Sequence, residues 1–90
     1  MDEVKEKPVS ETGTGNDRQR ELILFNDEVN TFDHVIQCLM EICRHTQEQA
    51  EQCALIAHYK GKCAVKSGSL DELKPLSEAM TVQQLSVTIK

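Results

Sequence analysis

Basic residues are scarce in this chain. Ten lysines and arginines stand against 15 aspartates and glutamates, for a net charge of -5 over 90 residues. Nucleic-acid binding needs a clustered cationic face, and this balance argues against it. Long apolar runs are missing too: nothing approaches the ~20 residues of a membrane span. The N-terminus lacks the apolar core of a signal peptide. A cytoplasmic protein is therefore expected. Paired Cys-x-x-Cys spacing, the mark of a structural zinc site, does not occur. What is present is a hydrophobic content of 39%, enough for one modest core in one small domain. A chain of this size seldom encloses a deep catalytic cleft, so a shallow binding surface is expected.

Residues 1–19 contain no aromatic residue and hardly any large apolar one, while Glu, Lys, Ser, Thr, Gly and Pro8 dominate. They read as a flexible N-terminal extension, either a solvated tail or a tether that engages a partner after docking. Residues 20–90 form the domain. Leu22 to Phe25 is a short apolar run ending at the turn-formers Asn26 and Asp27, as a buried strand does. Phe32, Val35, Ile36, Leu39, Ile42 and Cys43 recur at helical spacing and predict a helix over about 32–44, capped by Asn30-Thr31. Thr46 with Gln49 matches a capping box and starts a second helix over about 47–59, ended by Gly61. Its stripe of Ala50, Cys53, Ala54 and Ala57 is made of small residues. A second strand follows over about 62–66. Ser69 and Glu72 open a third helix over about 70–80, expected to be short or kinked because Pro75 lies inside it. Leu85, Val87 and Ile89 alternate with polar residues as in a half-buried closing strand. The order β-α-α-β-α-β predicts a single α+β domain with a three-stranded sheet covered by helices and a disordered N-terminal tail. Strand order does not follow from the pattern.

The four cysteines, Cys38, Cys43, Cys53 and Cys63, fall at or beside the apolar stripes, where free thiols act as small hydrophobes. Without a secretion signal, disulfides are not expected. A metal- or thiol-based regulator built on His34, Cys38 and Cys43 is the competing reading. An enzyme would pair Cys63 or Cys43 with His58, but no thiol sits at a helix N-terminus, where its pKa would fall. No enzymatic activity is expected.

The loop between the first strand and helix holds Asn26, Asp27, Glu28, Asn30 and Thr31, more acceptors than a corner needs. Surplus turn chemistry is one explanation. A site for a cationic group, held rigid by strand and helix, is the other. His58 closes the second helix where the small-residue stripe ends, a position at which a cationic side chain also favours the helix dipole.

Together these segments carry a resemblance. Leu24-Phe25-Asn26-Asp27-Glu28, followed by a helix beginning Phe32-Asp33-His34-Val35, resembles the adaptor of the bacterial Clp protease, the ClpS family. Leu55-Ile56-Ala57-His58-Tyr59-Lys60-Gly61-Lys62 is similar to the His-Tyr-x-Gly-Lys segment of that family, at the family's separation from the first motif. The resemblance covers about residues 20–90.

It implies an adaptor, not an enzyme, that binds N-degrons: proteins with a free α-amino group and a bulky apolar first residue. It also implies delivery of these to a ClpA- or ClpC-type AAA+ unfoldase, with no cofactor, no metal and a monomeric free state. The family's ammonium-binding positions correspond to Asn26, Asp27 and His58. Its side-chain pocket corresponds to Leu24, Asn30, Phe32, Val35, Ala54, Ala57 and Leu85. Its unfoldase contact corresponds to Asp71 and Glu72, with Lys74 nearby and Leu76 where a basic residue is usual. Phe32 stands at the gate where the family usually has Met, and Ala54 and Ala57 stand where bulkier residues are common. A plain protein-interaction domain of similar fold remains the third reading.

Overall fold

A computed structural model describes residues 18–90. Apart from Arg18 and Gln19, the expected N-terminal extension lies outside the described residues. The elements run β1 (Arg20–Phe25), α1 (Phe32–Ile42), α2 (Gln47–Lys60), β2 (Lys62–Gly68), α3 (Leu70–Val82) and β3 (Ser86–Ile89).

The first strand is the centre of the molecule. All three strands form one antiparallel sheet in the order β2-β1-β3. The apolar run in β1 fits that place, since a central strand has neighbours on both edges. Leu22 and Leu24 point with Cys63, Val65, Val87 and Ile89 into a core shared with Cys38 and Leu39 of α1, Ala50 and Ala57 of α2, and Leu73 and Met80 of α3. The helices thus cover one face of the sheet.

Local signals set the ends of the helices. Thr31 Oγ1 accepts from the His34 amide, and both capping boxes, Thr46–Gln49 and Ser69–Glu72, close in both directions. Gly61, at φ +93, ends α2 in the left-handed conformation that glycine adopts without strain.

Three departures from expectation have physical causes. α1 stops at Ile42, two residues early, because Arg44 turns to φ +62 and the His45 amide reaches back to the Leu39 carbonyl at 3.2 Å. β2 extends to Gly68: the register against β1 slips between Leu22 and Ile23, so Val65 is an extra residue in a bulge and pairing resumes beyond it. α3 continues past Pro75 to Val82. There Leu73 and Met80, both fully buried, anchor the helix on either side of the proline.

Candidate functional site

The corner after β1 and the end of α2 meet because of strand pairing. Phe25 is the register partner of Lys62, the first residue of β2, and α2 ends two residues before that, at Lys60. The chain leaving β1 therefore runs beside the chain entering β2, and the Asn26 amide donates to the Gly61 carbonyl at 2.9 Å. His58 lies one helical turn before Gly61, so its ring faces the same corner.

Between them is a hollow of about 420 Å³. Leu24 of β1, Val35 of α1, and Ala54 and Ala57 of α2 supply its apolar depth, all but Val35 being fully buried residues. Asn26, Asp27, Glu28, Asn30, Thr31 and His58 supply a polar rim, with Phe25 and Phe32 also lining it. The small side chains of α2 leave the space: a methyl at 54 and 57 reaches far less toward β1 than a leucine or methionine would.

Asp27 organises the rim. Its Oδ1 accepts from the amides of Val29 (2.9 Å) and Asn30 (2.8 Å), and its Oδ2 accepts from Asn30 Nδ2 (2.8 Å). Each carboxylate oxygen has about two acceptor positions, which leaves one free on Oδ2. Desolvation alone pushes the carboxyl pKa up. The hydrogen bonds from Asn30 and Val29, with the nearby His34, outweigh it and hold the group below its ordinary value of 3.8. Asn30 Nδ2 also donates to the Gln84 carbonyl at 2.9 Å. The loop is thus tied to the turn between α3 and β3, where Gln84 sits at φ +69. His34 Nε2 bonds the neighbouring Gln83 carbonyl at 2.9 Å.

Aromatic contacts close one side. The Phe32 ring lies 5.3 Å from the His58 ring, tilted by 56°, and His58 meets Tyr59 edge-on at 5.0 Å. Phe32 remains 45% exposed, so it stands over the mouth of the hollow rather than inside the core.

Of the residues singled out from sequence, Asn26, Asp27, His58, Leu24, Asn30, Phe32, Val35, Ala54 and Ala57 all line this one hollow. Leu85 does not; it is buried in the core shared by the sheet and the helices. Glu28 and Thr31, singled out as part of the acceptor-rich loop, line the hollow too; Phe25 lines it without having been singled out, since a strand's last residue does not advertise which way it faces. On α3, Asp71, Glu72 and Lys74 are all exposed; Glu72 Oε1 also accepts from the Ser69 amide at 2.8 Å within the capping box, and Leu76 packs against the core.

The thiols have a different character. All four cysteines are free, and three are buried. Burial pushes the Cys43 thiol up to about 11, against the pull of Lys66. Burial and a hydrogen bond with Cys63 push Cys53 up to about 12. Neither is an activated nucleophile at neutral pH. His34 Nε2 approaches Cys38 Sγ at 3.7 Å, but the same nitrogen faces the Gln83 carbonyl. Among the described residues no group of three or more His, Cys, Asp or Glu is placed to hold a metal ion, and no helix is long and apolar enough to cross a membrane.

Comparison with known proteins bears on the family and the fold. Residues 16–88 match the model of the family described as ATP-dependent Clp protease adaptor protein ClpS. An ATP-dependent Clp protease adapter protein ClpS of Campylobacter jejuni subsp. doylei is 34% identical over 58 residues, 64% of this chain and 60% of that protein. The protein of the same name from Deinococcus radiodurans is 32% identical over 60 residues, 67% of this chain and 53% of its own length. The matches thus span less than two thirds of these curated relatives. Agrobacterium tumefaciens ClpS2, solved bound to L-phenylalaninamide, shares the fold with a TM-score of 0.69 at 18% identity, over 80% of this chain and 94% of that one.

Proposed function

This chain belongs to the ATP-dependent Clp protease adaptor protein ClpS family, and we propose that it is a non-enzymatic adaptor that binds N-degrons and hands them to a Clp AAA+ unfoldase of the ClpA or ClpC type. The observation that carries the reading is the hollow itself: an apolar depth at Leu24, Val35, Ala54 and Ala57 beneath a rim of Asn26, Asp27 and His58. A bulky apolar first side chain fits the depth, and its α-ammonium falls at the rim. That ammonium is a cation with several donors, and it needs acceptors arranged around it. Asn26 offers its amide oxygen, Asp27 the free position on Oδ2, and His58 a ring nitrogen. The phenylalaninamide bound by the Agrobacterium neighbour is a ligand of this kind, with an amine and a ring.

Magnitudes agree with a binder that must release. Each hydrogen bond to a charged group contributes about 1.5–3 kcal/mol, and burying one large apolar side chain about 1.5–3 more. Association opposes these by at least about 4 kcal/mol, which leaves at most about 8 kcal/mol, an affinity of about micromolar at its tightest. Cytoplasmic action with no cofactor completes the reading. Asp71, Glu72 and Lys74 on α3, all exposed, are the residues assigned to the unfoldase contact.

The test is a panel of short peptides differing only in the first residue, each with a free or an acetylated amine. Leu, Phe, Tyr or Trp should bind with a free amine and fail when acetylated, because the blocked group loses charge and donors. Equal binding of Leu-first, Met-first and acetylated peptides would instead mark a plain interaction domain.

A further inference from the structure

Helix α2 is packed inside out for its length. Ala50, Ala54 and Ala57 face the core at 0%, 4% and 3% exposure, while Leu55, Ile56 and Tyr59 face solvent at 46%, 40% and 76%. Burying the smallest apolar residues and exposing the largest reverses what the hydrophobic effect favours for a free helix. Leu55, Ile56 and Tyr59 recur at three- and four-residue spacing, with Glu48, Glu51 and Gln52 continuing the same face one and two turns earlier. These six side chains line a second hollow of about 510 Å³ along the outer surface of the helix. It is separate from the first one, which lies on the inner flank of α2 at Ala54, Ala57 and His58.

The charge on this face selects the occupant. The lining holds two carboxylates and no cation. Glu51 Oε2 accepts from Gln47 Nε2 at 3.0 Å, which fixes one carboxylate on the flank of the apolar strip. A second copy of the chain would bring two more carboxylates against these, and like charges repel across a low-dielectric contact. An anionic membrane surface is repelled in the same way. We propose that the outer face of α2, formed by Glu48, Glu51, Gln52, Leu55, Ile56 and Tyr59, is a docking surface for a cationic amphipathic helix of a partner protein. Apolar side chains of that helix cover Leu55, Ile56 and Tyr59, and its Lys or Arg residues pair with Glu48 and Glu51.

The experiment titrates the full isotope-labelled chain with an 18-residue Leu/Lys amphipathic helical peptide, on the order of five turns of helix. A scrambled peptide of equal composition without an apolar face is the control. Amide shifts confined to residues 48–59, with the first hollow still binding its own peptides, are expected. Glu48→Lys with Glu51→Lys should weaken the Leu/Lys peptide at least tenfold and create binding to a Leu/Glu peptide. Leu55→Ser with Ile56→Ser should weaken both; all four positions are exposed, and melting curves check that the variants fold. Equal binding of the scrambled peptide, shifts spread over the molecule, indifference to the charge reversal, or a concentration-dependent dimer abolished by Leu55→Ser would each overturn the proposal.

Discussion

Asp27 grips Asn30 twice, through the Asn30 backbone amide at 2.8 Å and through its side-chain Nδ2 at 2.8 Å. The same Nδ2 reaches the Gln84 carbonyl, 54 residues away in sequence. The carboxylate thus does two jobs: it fixes the loop that rims the hollow, and it keeps one acceptor position on Oδ2 unused by these bonds.

Replacing Asp27 should therefore cost stability as well as binding. Asp27→Ala removes three hydrogen-bond acceptor contacts in a partly exposed loop, and roughly 1–2 kcal/mol of stability should go with them. The pH dependence has a definite sign. A carboxyl whose folded pKa is depressed stabilises the fold above its unfolded value of about 3.9, and that stabilisation disappears as pH falls through the lower folded value. Melting temperatures of the wild type and Asp27→Asn should differ by a constant amount above about pH 5 and converge near pH 2–3. A constant gap down to pH 2 would contradict the role.

His58 separates binding from folding. It is exposed and touches only rings and the rim, so His58→Ala should leave the melting curve nearly unchanged. Loss of one charged hydrogen bond, about 1.5 kcal/mol or more, should weaken a Phe- or Leu-first peptide by roughly tenfold. Equal peptide affinities of the wild type and His58→Ala would remove His58 from the site.

Under the proposed function, the volume of the hollow should set guest size. Ala54→Leu would fill the hollow from its α2 wall, so binding of Phe- and Tyr-first peptides should fall at least tenfold while small first residues stay as weak as before. Phe32→Ala acts oppositely: with no ring beside His58, the mouth opens and discrimination among large first residues should shrink. Peptide titrations against both variants, with circular dichroism as a check on folding, decide this. Unchanged selectivity in both would place the guest elsewhere.

Pro75 should be a stability liability. Its ring removes the hydrogen bond to the Asp71 carbonyl in the interior of α3. Pro75→Ala restores that bond and should raise stability by roughly 1–3 kcal/mol, several degrees in melting temperature. The gain is partly offset because alanine also frees the unfolded chain. A lower melting temperature would show that the proline's packing outweighs its missing donor.

Much of this was legible before any coordinates. The capping boxes at Thr46 and Ser69, the glycine stop at 61 and the alternation of Leu85, Val87 and Ile89 are local signals, because each depends on atoms within four residues. They placed all six elements to within a few residues. Boundaries failed where a distant partner took part: the bulge that lengthens β2 needs β1 opposite it, and α3 outlasts Pro75 because the core holds Leu73 and Met80.

The sequence by itself determined the elements, their order and the residue types at the corner after β1. Local hydrogen bonds and side-chain periodicity need nothing but neighbours along the chain. Only the tertiary structure decided that β1 lies between β2 and β3, and hence that Asn26 meets Gly61 and places His58 beside the loop. It alone separated Leu85, sealed in the core, from Phe25 at the hollow, and turned the large residues of α2 outward. Those outcomes depend on which surfaces exclude water from one another, and that is a property of the packed whole.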